Sequence, residues 1–184
     1  AALVPHKGQD SLIAAASQVL KAIPEARFLI VGTGELQETL HHKIRSLSLE
    51  QQVILTGFRN DVLSILKALD LFVMSSVTEG LGTSVLDAMA ARRAVVSTRA
   101  GGIPESVVDG ETGLLTPVGD ADSMSRAIVT LLTDSNRRRM FGEAGRQRAQ
   151  QLFSDDRMVE QTTDVYTNWV DTIHVTDTRH PVSK

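Results

Sequence analysis

The chain of 184 residues contains no cysteine. A disulfide framework, a thiolate metal site and a cysteine nucleophile are therefore excluded, while the compartment is left open. No apolar run approaches the ~20 residues that a membrane-spanning helix needs. No charged-then-apolar leader precedes a small-residue cleavage site, so the cytoplasm is the expected compartment. Charge of one sign is also missing: a formal net charge of −3 and a pI near 6.0, with only two clustered basic stretches, give no electrostatic footprint for nucleic acid. The five histidines have no metal-ligand spacing with acidic partners, and adjacent His41 and His42 point in different directions on a helix. Neither a Walker sequence nor a Gly-x-Ser-x-Gly elbow occurs, which removes the usual support for ATPase and hydrolase readings. What is present is a hydrophobic share of 42%, enough for the core of one domain of ordinary size.

Short apolar runs recur at Phe28–Val31, Val53–Leu55, Leu71–Met74, Ala94–Ser97 and Gly113–Thr116, nearly continuous rather than alternating. Such runs read as strands buried on both faces. Helix-period segments lie between them, at about 8–22, 35–48, 61–68, 83–92, 104–109 and 120–132, and two more follow at about 134–151 and 155–173. The expected fold is α/β: a doubly wound, Rossmann-like parallel sheet of about six strands with extra C-terminal helices. Leu3-Val4 reads as the end of a strand that runs into the turn Pro5-His6-Lys7-Gly8. The chain is thus expected to start inside a structural element, with its first strand cut short. Residues 1–173 are expected to form the domain, and 174–184, polar and without periodicity, a flexible tail.

In open parallel sheets, ligands bind beyond the carboxyl ends of the strands. The residues there are Lys7-Gly8, Gly32-Thr-Gly34, Gly57-Phe58-Arg59, Ser75-Ser76 leading to Glu79–Gly82, Arg99-Ala-Gly101-Gly102, and Pro104-Glu105. An isolated glycine at such a turn is ordinary punctuation. Alone, Glu79 reads rather as a solvated loop residue and Asp87 as an exposed helix residue than as site residues, while Lys7 reads equally as a turn lysine. Their combination is sharper. Glu79 and Asp87 flank a Gly80-Leu81-Gly82 turn that opens a helix near Thr83, and Asp87 stands about 6 Å up that helix at ~1.5 Å per residue. Glycines allow close backbone approach, free helix N–H groups receive phosphate, and carboxylates accept bonds from sugar hydroxyls. Arg137–Arg139, Arg146 and Arg148 read as solvated helix faces that pair with acids such as Glu143.

The ordered set Leu3-Val-Pro-His-Lys-Gly8, Ile30-Val-Gly-Thr-Gly34, Leu55-Thr-Gly-Phe58, Ser75-Ser-Val-Thr-Glu-Gly-Leu-Gly82, Leu86-Asp-Ala-Met-Ala90 and Gly101-Gly-Ile-Pro-Glu-Ser-Val-Val-Asp-Gly-Glu-Thr-Gly-Leu-Leu115 resembles the C-terminal, donor-binding half of family 4 retaining glycosyltransferases with the GT-B fold. The similarity runs from about Leu3 to Tyr166. It implies transfer of a sugar from a nucleotide-diphosphate sugar (UDP-, GDP- or ADP-linked) to an acceptor hydroxyl, with no cofactor or metal required. Glu79 matches the first acid of the family's acid–seven residues–acid motif, which contacts the donor sugar, and Asp87 the second, which holds the ribose. Lys7 matches a lysine on the donor diphosphate, next to Gly8. Gly80, Leu81, Gly82 and Thr83 match the backbone cradle for the same phosphates, and Gly57, Phe58 and Arg59 the loop that meets the base. Gly101, Gly102 and Glu105 match a further loop at the edge of the site.

Two positions depart from the family pattern. Asp87 is one methylene shorter than the usual glutamate, and Ala2 stands where an arginine commonly completes the diphosphate clamp; Arg99 is the candidate replacement. The implied partners are the nucleotide sugar and an N-terminal acceptor domain of the same protein, through which peripheral membrane association would arise. Without that domain, the chain is expected to bind donor with little transfer. Rival readings are a non-catalytic sugar-nucleotide or interaction domain on the same scaffold, a nucleotide-sugar epimerase, and an NAD-binding domain prompted by Gly32-x-Gly34. The last lacks its third glycine, at Gln37, and an acid after Val53–Leu55.

Overall fold

The computed structural model describes residues 1–177. Five parallel strands, β1 (Phe28–Val31), β2 (Val53–Gly57), β3 (Leu71–Met74), β4 (Ala94–Thr98) and β5 (Gly113–Thr116), alternate with helices. These are α1 (Gln9–Ala22), α2 (Gln37–Ser46), α3 (Val62–Ala68), α4 (Thr83–Ala90), α5 (Ile103–Ser106) and α6 (Ala121–Thr133), followed by α7 (Ser135–Leu152) and α8 (Asp155–Asp177). Each expected strand is present, and the expected helices differ from the observed ones mainly at their ends. The clearest shortening is α5, expected over 104–109: Val107 leaves the helix with extended backbone (φ −102°, ψ 120°). The last helix runs to Asp177, beyond the expected boundary at 173; the rest of the expected tail, 178–184, lies outside the described residues.

The strands fall into two sheets, β1-β2 and β3-β4-β5, all paired in parallel. Leu3-Val4 does not belong to a strand. Val4 precedes a single 3-10 turn over Pro5–Lys7, whose Pro5 supplies the fixed φ that suits a helical start. Among the described residues there are therefore five strands where about six are expected.

The core shows why β4 is uninterrupted in apolar and small residues. All five of its positions are buried, and alternate side chains face opposite layers. Val95 packs with Val85, Met89 and Ile103 on one side, while Ala94 and Val96 pack with Val19, Ile128, Leu131 and Phe141 on the other. A third cluster, including Leu3, Ile13, Ile30, Leu40 and Val53, lies around β1-β2. Each fully buried Leu or Ile in these layers contributes about 1.5–3 kcal/mol. Asp120 caps α6, its Oδ1 accepting the Ser123 N–H at 2.8 Å.

The chain divides into two compact units, one over Ala1–Ala149 and a second that begins at Gln150. The described part of the second unit is the end of α7 and α8, where the Ser154 hydroxyl accepts the Arg157 N–H. No helix of the described residues is long and apolar enough to cross a membrane.

Candidate functional site

Lys7 ends the 3-10 turn, and Glu79 lies in the loop after β3, yet the fold joins them directly: Lys7 Nζ donates to Glu79 Oε2 at 2.7 Å. Both side chains are largely covered, at 20% and 14% exposure. The buried Ser76 hydroxyl donates to the same carboxylate oxygen at 2.9 Å, and Ser76 is itself fixed, its carbonyl accepting Thr98 Oγ1–H at 2.6 Å. Burial pushes the Glu79 carboxyl up, but the hydrogen bonds from Lys7 and Ser76, with the positive charge of Lys7 and His6, outweigh it and leave Glu79 below its ordinary range. Lys7 is anchored through its backbone as well, since its carbonyl accepts Ser75 Oγ–H at 3.0 Å.

Two close backbone contacts hold this pair in place. Gly8 has φ +64°, and a Cβ there would lie 2.0 Å from the Ser75 carbonyl oxygen. Gly101 has φ +51°, and a Cβ there would lie 1.6 Å from the Glu79 carbonyl oxygen. Neither position accepts a side chain without moving the loop that carries Glu79. The Gly102 N–H then donates to the Gly80 carbonyl at 2.9 Å, so the loops after β3 and β4 form one body. Gly82, with φ 72°, leads into α4, and no side chain caps that helix start. The Thr83 and Ser84 N–H groups precede the first intrahelical donors, Val85 and Leu86, and point outward with the positive end of the helix dipole.

The remaining sequence-derived residues divide into those brought to this centre and those left apart. Asp87 is exposed on α4 and lines the same cavity as Lys7, Ser75 and Ser84. Leu81 and Thr83 are exposed at the turn, and the Leu81 carbonyl accepts Ser106 Oγ–H at 3.4 Å. Gly57 has φ 72° with nothing within 4 Å of an added Cβ, and Phe58 is 78% exposed. Arg59 is bound bidentately to Asp61, at 2.8 and 2.6 Å. Arg99 is paired with Asp109 at 2.5 Å, and Asp109 Oδ1 also accepts the Leu115 N–H, so this arginine is committed to the β5 side. Glu105 is exposed.

Sequence reasoning misplaced Arg148 among solvated arginines. Its Nε donates to the Ser106 carbonyl at 2.9 Å and its guanidinium NH2 group to the Glu105 carbonyl at 2.7 Å, tying α7 to the short α5 that follows Gly101-Gly102. Arg138 likewise donates to the Leu131 and Leu132 carbonyls at the end of α6. Glu143 pairs instead with Arg92, at 3.3 Å. Ser76, named at its strand end, was given no tie to Glu79, and Thr98, which fixes Ser76, was missed; the sequence signal for both is a hydroxyl at the end of an apolar strand. Among the described residues, no group of three or more acids and histidines is placed to hold a metal ion.

A loop pair built backbone-on-backbone around a lysine and an acid, beside an uncapped helix start, invites comparison with known proteins. The family model for glycosyl transferases group 1 matches residues 1–148. The chain belongs to that family. It is 37% identical over 170 residues to a GDP-mannose-dependent monoacylated alpha-(1-6)-phosphatidylinositol monomannoside mannosyltransferase of Corynebacterium glutamicum, covering 89% of this chain and 44% of that protein. It is 34% identical to the putative glycosyltransferase EpsD of Bacillus subtilis, covering 90% and 43%. The chain thus spans about half the length of the curated relatives it matches. Among solved structures, HepE from Anabaena in complex with UDP superposes with a TM-score of 0.85 at 29% identity, over 91% of this chain and 47% of that one. The C-terminal domain of the group 1 glycosyl transferase LpcC from Francisella tularensis superposes with a TM-score of 0.78 at 29% identity, over 84% and 83%. The architecture of this group 1 glycosyltransferase chain is that of a GT-B glycosyltransferase domain.

Proposed function

We propose that this chain is the donor-binding domain of a retaining, family 4 glycosyltransferase, and that it holds the nucleoside diphosphate of a nucleotide sugar at the edge formed by Lys7-Gly8, Glu79–Thr83 and Gly101-Gly102. The observation that carries this reading is the Lys7–Glu79 pair beside the uncapped N-terminus of α4. It supplies a cation and outward N–H groups for phosphate oxygens, with a carboxylate next to them for a sugar hydroxyl. In the bound state Lys7 turns from Glu79 to the diphosphate and, with the α4 N–H groups, stabilises the negative charge that grows on it as the glycosidic bond breaks. Glu79, still held by Ser76, faces the sugar, and Asp87 meets the ribose.

The relatives named for GDP-mannose and the neighbour bound to UDP support a nucleotide-sugar donor. The likeness to the LpcC C-terminal domain supports the reading as one half of a two-domain enzyme. The acceptor hydroxyl and much of the water-excluding wall then come from an N-terminal domain, in a protein that works in the cytoplasm. Arg99 enters the diphosphate site only by leaving Asp109. If Arg99→Ala binds nucleoside diphosphate as well as the wild type, Arg99 has no part in the clamp.

Calorimetric titration of the chain with UDP, GDP, ADP and NAD tests the reading. Binding of a nucleoside diphosphate that Lys7→Ala and Glu79→Ala both weaken is expected, with little or no sugar transfer by the chain alone. Preference for NAD, or no binding of any diphosphate, overturns it.

A further inference from the structure

The ladder between β3 and β4 ends before the backbone reaches Glu79. Its last pair is Met74 with Ser97, and Thr98 continues only toward β5, opposite Thr116. The segment that carries Glu79 therefore leaves the sheet without a ladder partner, and two other bonds take the ladder's place. The Thr98 hydroxyl crosses from β4 and donates to the Ser76 carbonyl at 2.6 Å. On the other side of the same peptide, the Val77 N–H donates to the His6 carbonyl at 2.8 Å. The Ser76-Val77 peptide is thus held at both of its polar groups, by β4 and by the segment that carries Lys7.

The hydroxyls around this peptide have distinct targets. Ser97 and Thr116 are buried and donate, at 3.3 and 3.4 Å, to the Thr98 and Ser97 carbonyls, so their bonds end on β4 itself. The Thr98 hydroxyl, equally buried, leaves β4 for the loop of the site. Ser75 and Ser76 then serve the two members of the ion pair separately: the Ser75 hydroxyl donates to the Lys7 carbonyl and the Ser76 hydroxyl to Glu79 Oε2. Lys7 Nζ reaches the same Oε2, so Oε1 is engaged by neither donor and is the oxygen available to a ligand hydroxyl. Once Lys7 turns to a diphosphate, Ser76 is the remaining donor of the two. A carboxylate on one such bond is only as well aimed as the residue that gives it, and Thr98 sets that residue.

We propose that Thr98 is a positioning residue for Glu79. Acting through the Ser76-Val77 peptide, it keeps the Ser76 hydroxyl, and with it Glu79 Oε1, aimed at a hydroxyl of the donor sugar while Lys7 holds the diphosphate. The ligand in this inference rests on the donor-binding reading, whereas the link from Thr98 to Glu79 is a property of the free chain. The diphosphate itself is met by Lys7 and the α4 N–H groups. Thr98 therefore governs how far the chain prefers a nucleotide sugar to the bare nucleoside diphosphate.

The first half of the test uses no ligand. With glutamate side chains labelled with carbon-13, NMR titration reads the midpoint of the Glu79 carboxyl, which the bonds from Lys7 and Ser76 hold low. Thr98→Val is expected to raise that midpoint, as Ser76→Ala does, and Thr98→Ser to leave it at the wild-type value. The second half is calorimetry with matched pairs, UDP against UDP-glucose and GDP against GDP-mannose. In the pair that the wild type binds, Thr98→Val is expected to lower the preference for the nucleotide sugar by about 2- to 10-fold while nucleoside-diphosphate affinity stays within about 2-fold. Thr98→Ser is expected to restore the preference. A general loss of the folded state lowers both affinities together and does not change their ratio. Should Thr98→Val not fold, Thr98→Ala removes the same hydroxyl without crowding the Ser76 carbonyl and carries the same expectations. An unmoved Glu79 midpoint overturns the proposal, and so does a preference equal to that of the wild type. If the wild type binds neither pair while the hydroxyl's removal still moves the Glu79 midpoint, the donor-binding reading falls and Thr98 stands as the positioning residue of Glu79.

Discussion

The turns after β3 and β2 both carry glycines at the carboxyl edge of the sheet, but they are built on opposite plans. After β3, Glu79-Gly80 is pressed against Gly101-Gly102 with no room for even a methyl group, and the acid is held by Lys7 and Ser76. After β2, Gly57 faces open space, Phe58 is largely exposed and Arg59 is satisfied by its neighbour Asp61. The first turn is locked backbone against backbone; the second presents an exposed aromatic ring beside an arginine satisfied by its own loop. In the proposed function, the fixed turn handles what every donor shares, the diphosphate and the start of the sugar. The exposed turn handles what differs, the base.

Substitutions can break this contrast. Gly101→Ala is expected to cost about 3 kcal/mol or more in denaturant unfolding, because the methyl group collides with the Glu79 carbonyl and the residue needs a left-handed backbone. Gly57→Ala meets the backbone penalty alone, about 1–2 kcal/mol; equal losses at the two sites would remove the distinction. Lys7→Ala removes a charge-assisted bond to the ligand and leaves Glu79 half-satisfied, so nucleoside-diphosphate affinity should fall by about 1.5–3 kcal/mol, or about 10- to 150-fold, by calorimetry. Phe58→Ala should leave stability within about 0.5 kcal/mol while changing the ratio of UDP, GDP and ADP affinities; an unchanged ratio would take the β2 turn out of base recognition.

The smallest expected effect is a pH dependence. Glu79 titrates below its ordinary value in the folded chain, so the stability it contributes is complete above the usual glutamate range, about 4.3. It is lost as pH falls through the lower folded value. The stability gap between wild type and Glu79→Gln should therefore close on acidification, and a gap that widens would contradict the pairing.

Much of this was legible in the sequence. Strand and helix periods place all five strands, and β4 owes its unbroken burial to the same residues that made it readable as a central strand. The loop positions Lys7, Glu79 and Asp87 were legible as candidates because strand ends collect ligands in this topology. The Lys7–Glu79 contact spans 72 positions and the Arg148 contacts 42 and 43, and no local pattern encodes either. Arg148 was misread because its partners are backbone carbonyls, which leave no trace in side-chain chemistry; charge patterning searches only for acids. Arg99 was legible as a cation near the site, but not its commitment to Asp109, since that acid lies within a glycine-rich turn whose path the sequence does not give. The division into two sheets was hidden for another reason: each strand reads alike whether or not its edge is paired.

The Lys7–Glu79 couple also sets the terms on which an anion enters. The two charges largely cancel, so under the proposed function an incoming phosphate is not drawn to a bare cation; it must take the lysine from a carboxylate that already holds it. Capture is then an exchange of partners rather than an addition. A lone phosphate gains one ammonium and leaves a partly buried carboxylate behind. A sugar-linked diphosphate gains the ammonium and the α4 N–H groups together, and brings the hydroxyls that the released carboxylate needs. The couple therefore acts as a counterweight, lifted only by a ligand that carries both halves of the exchange.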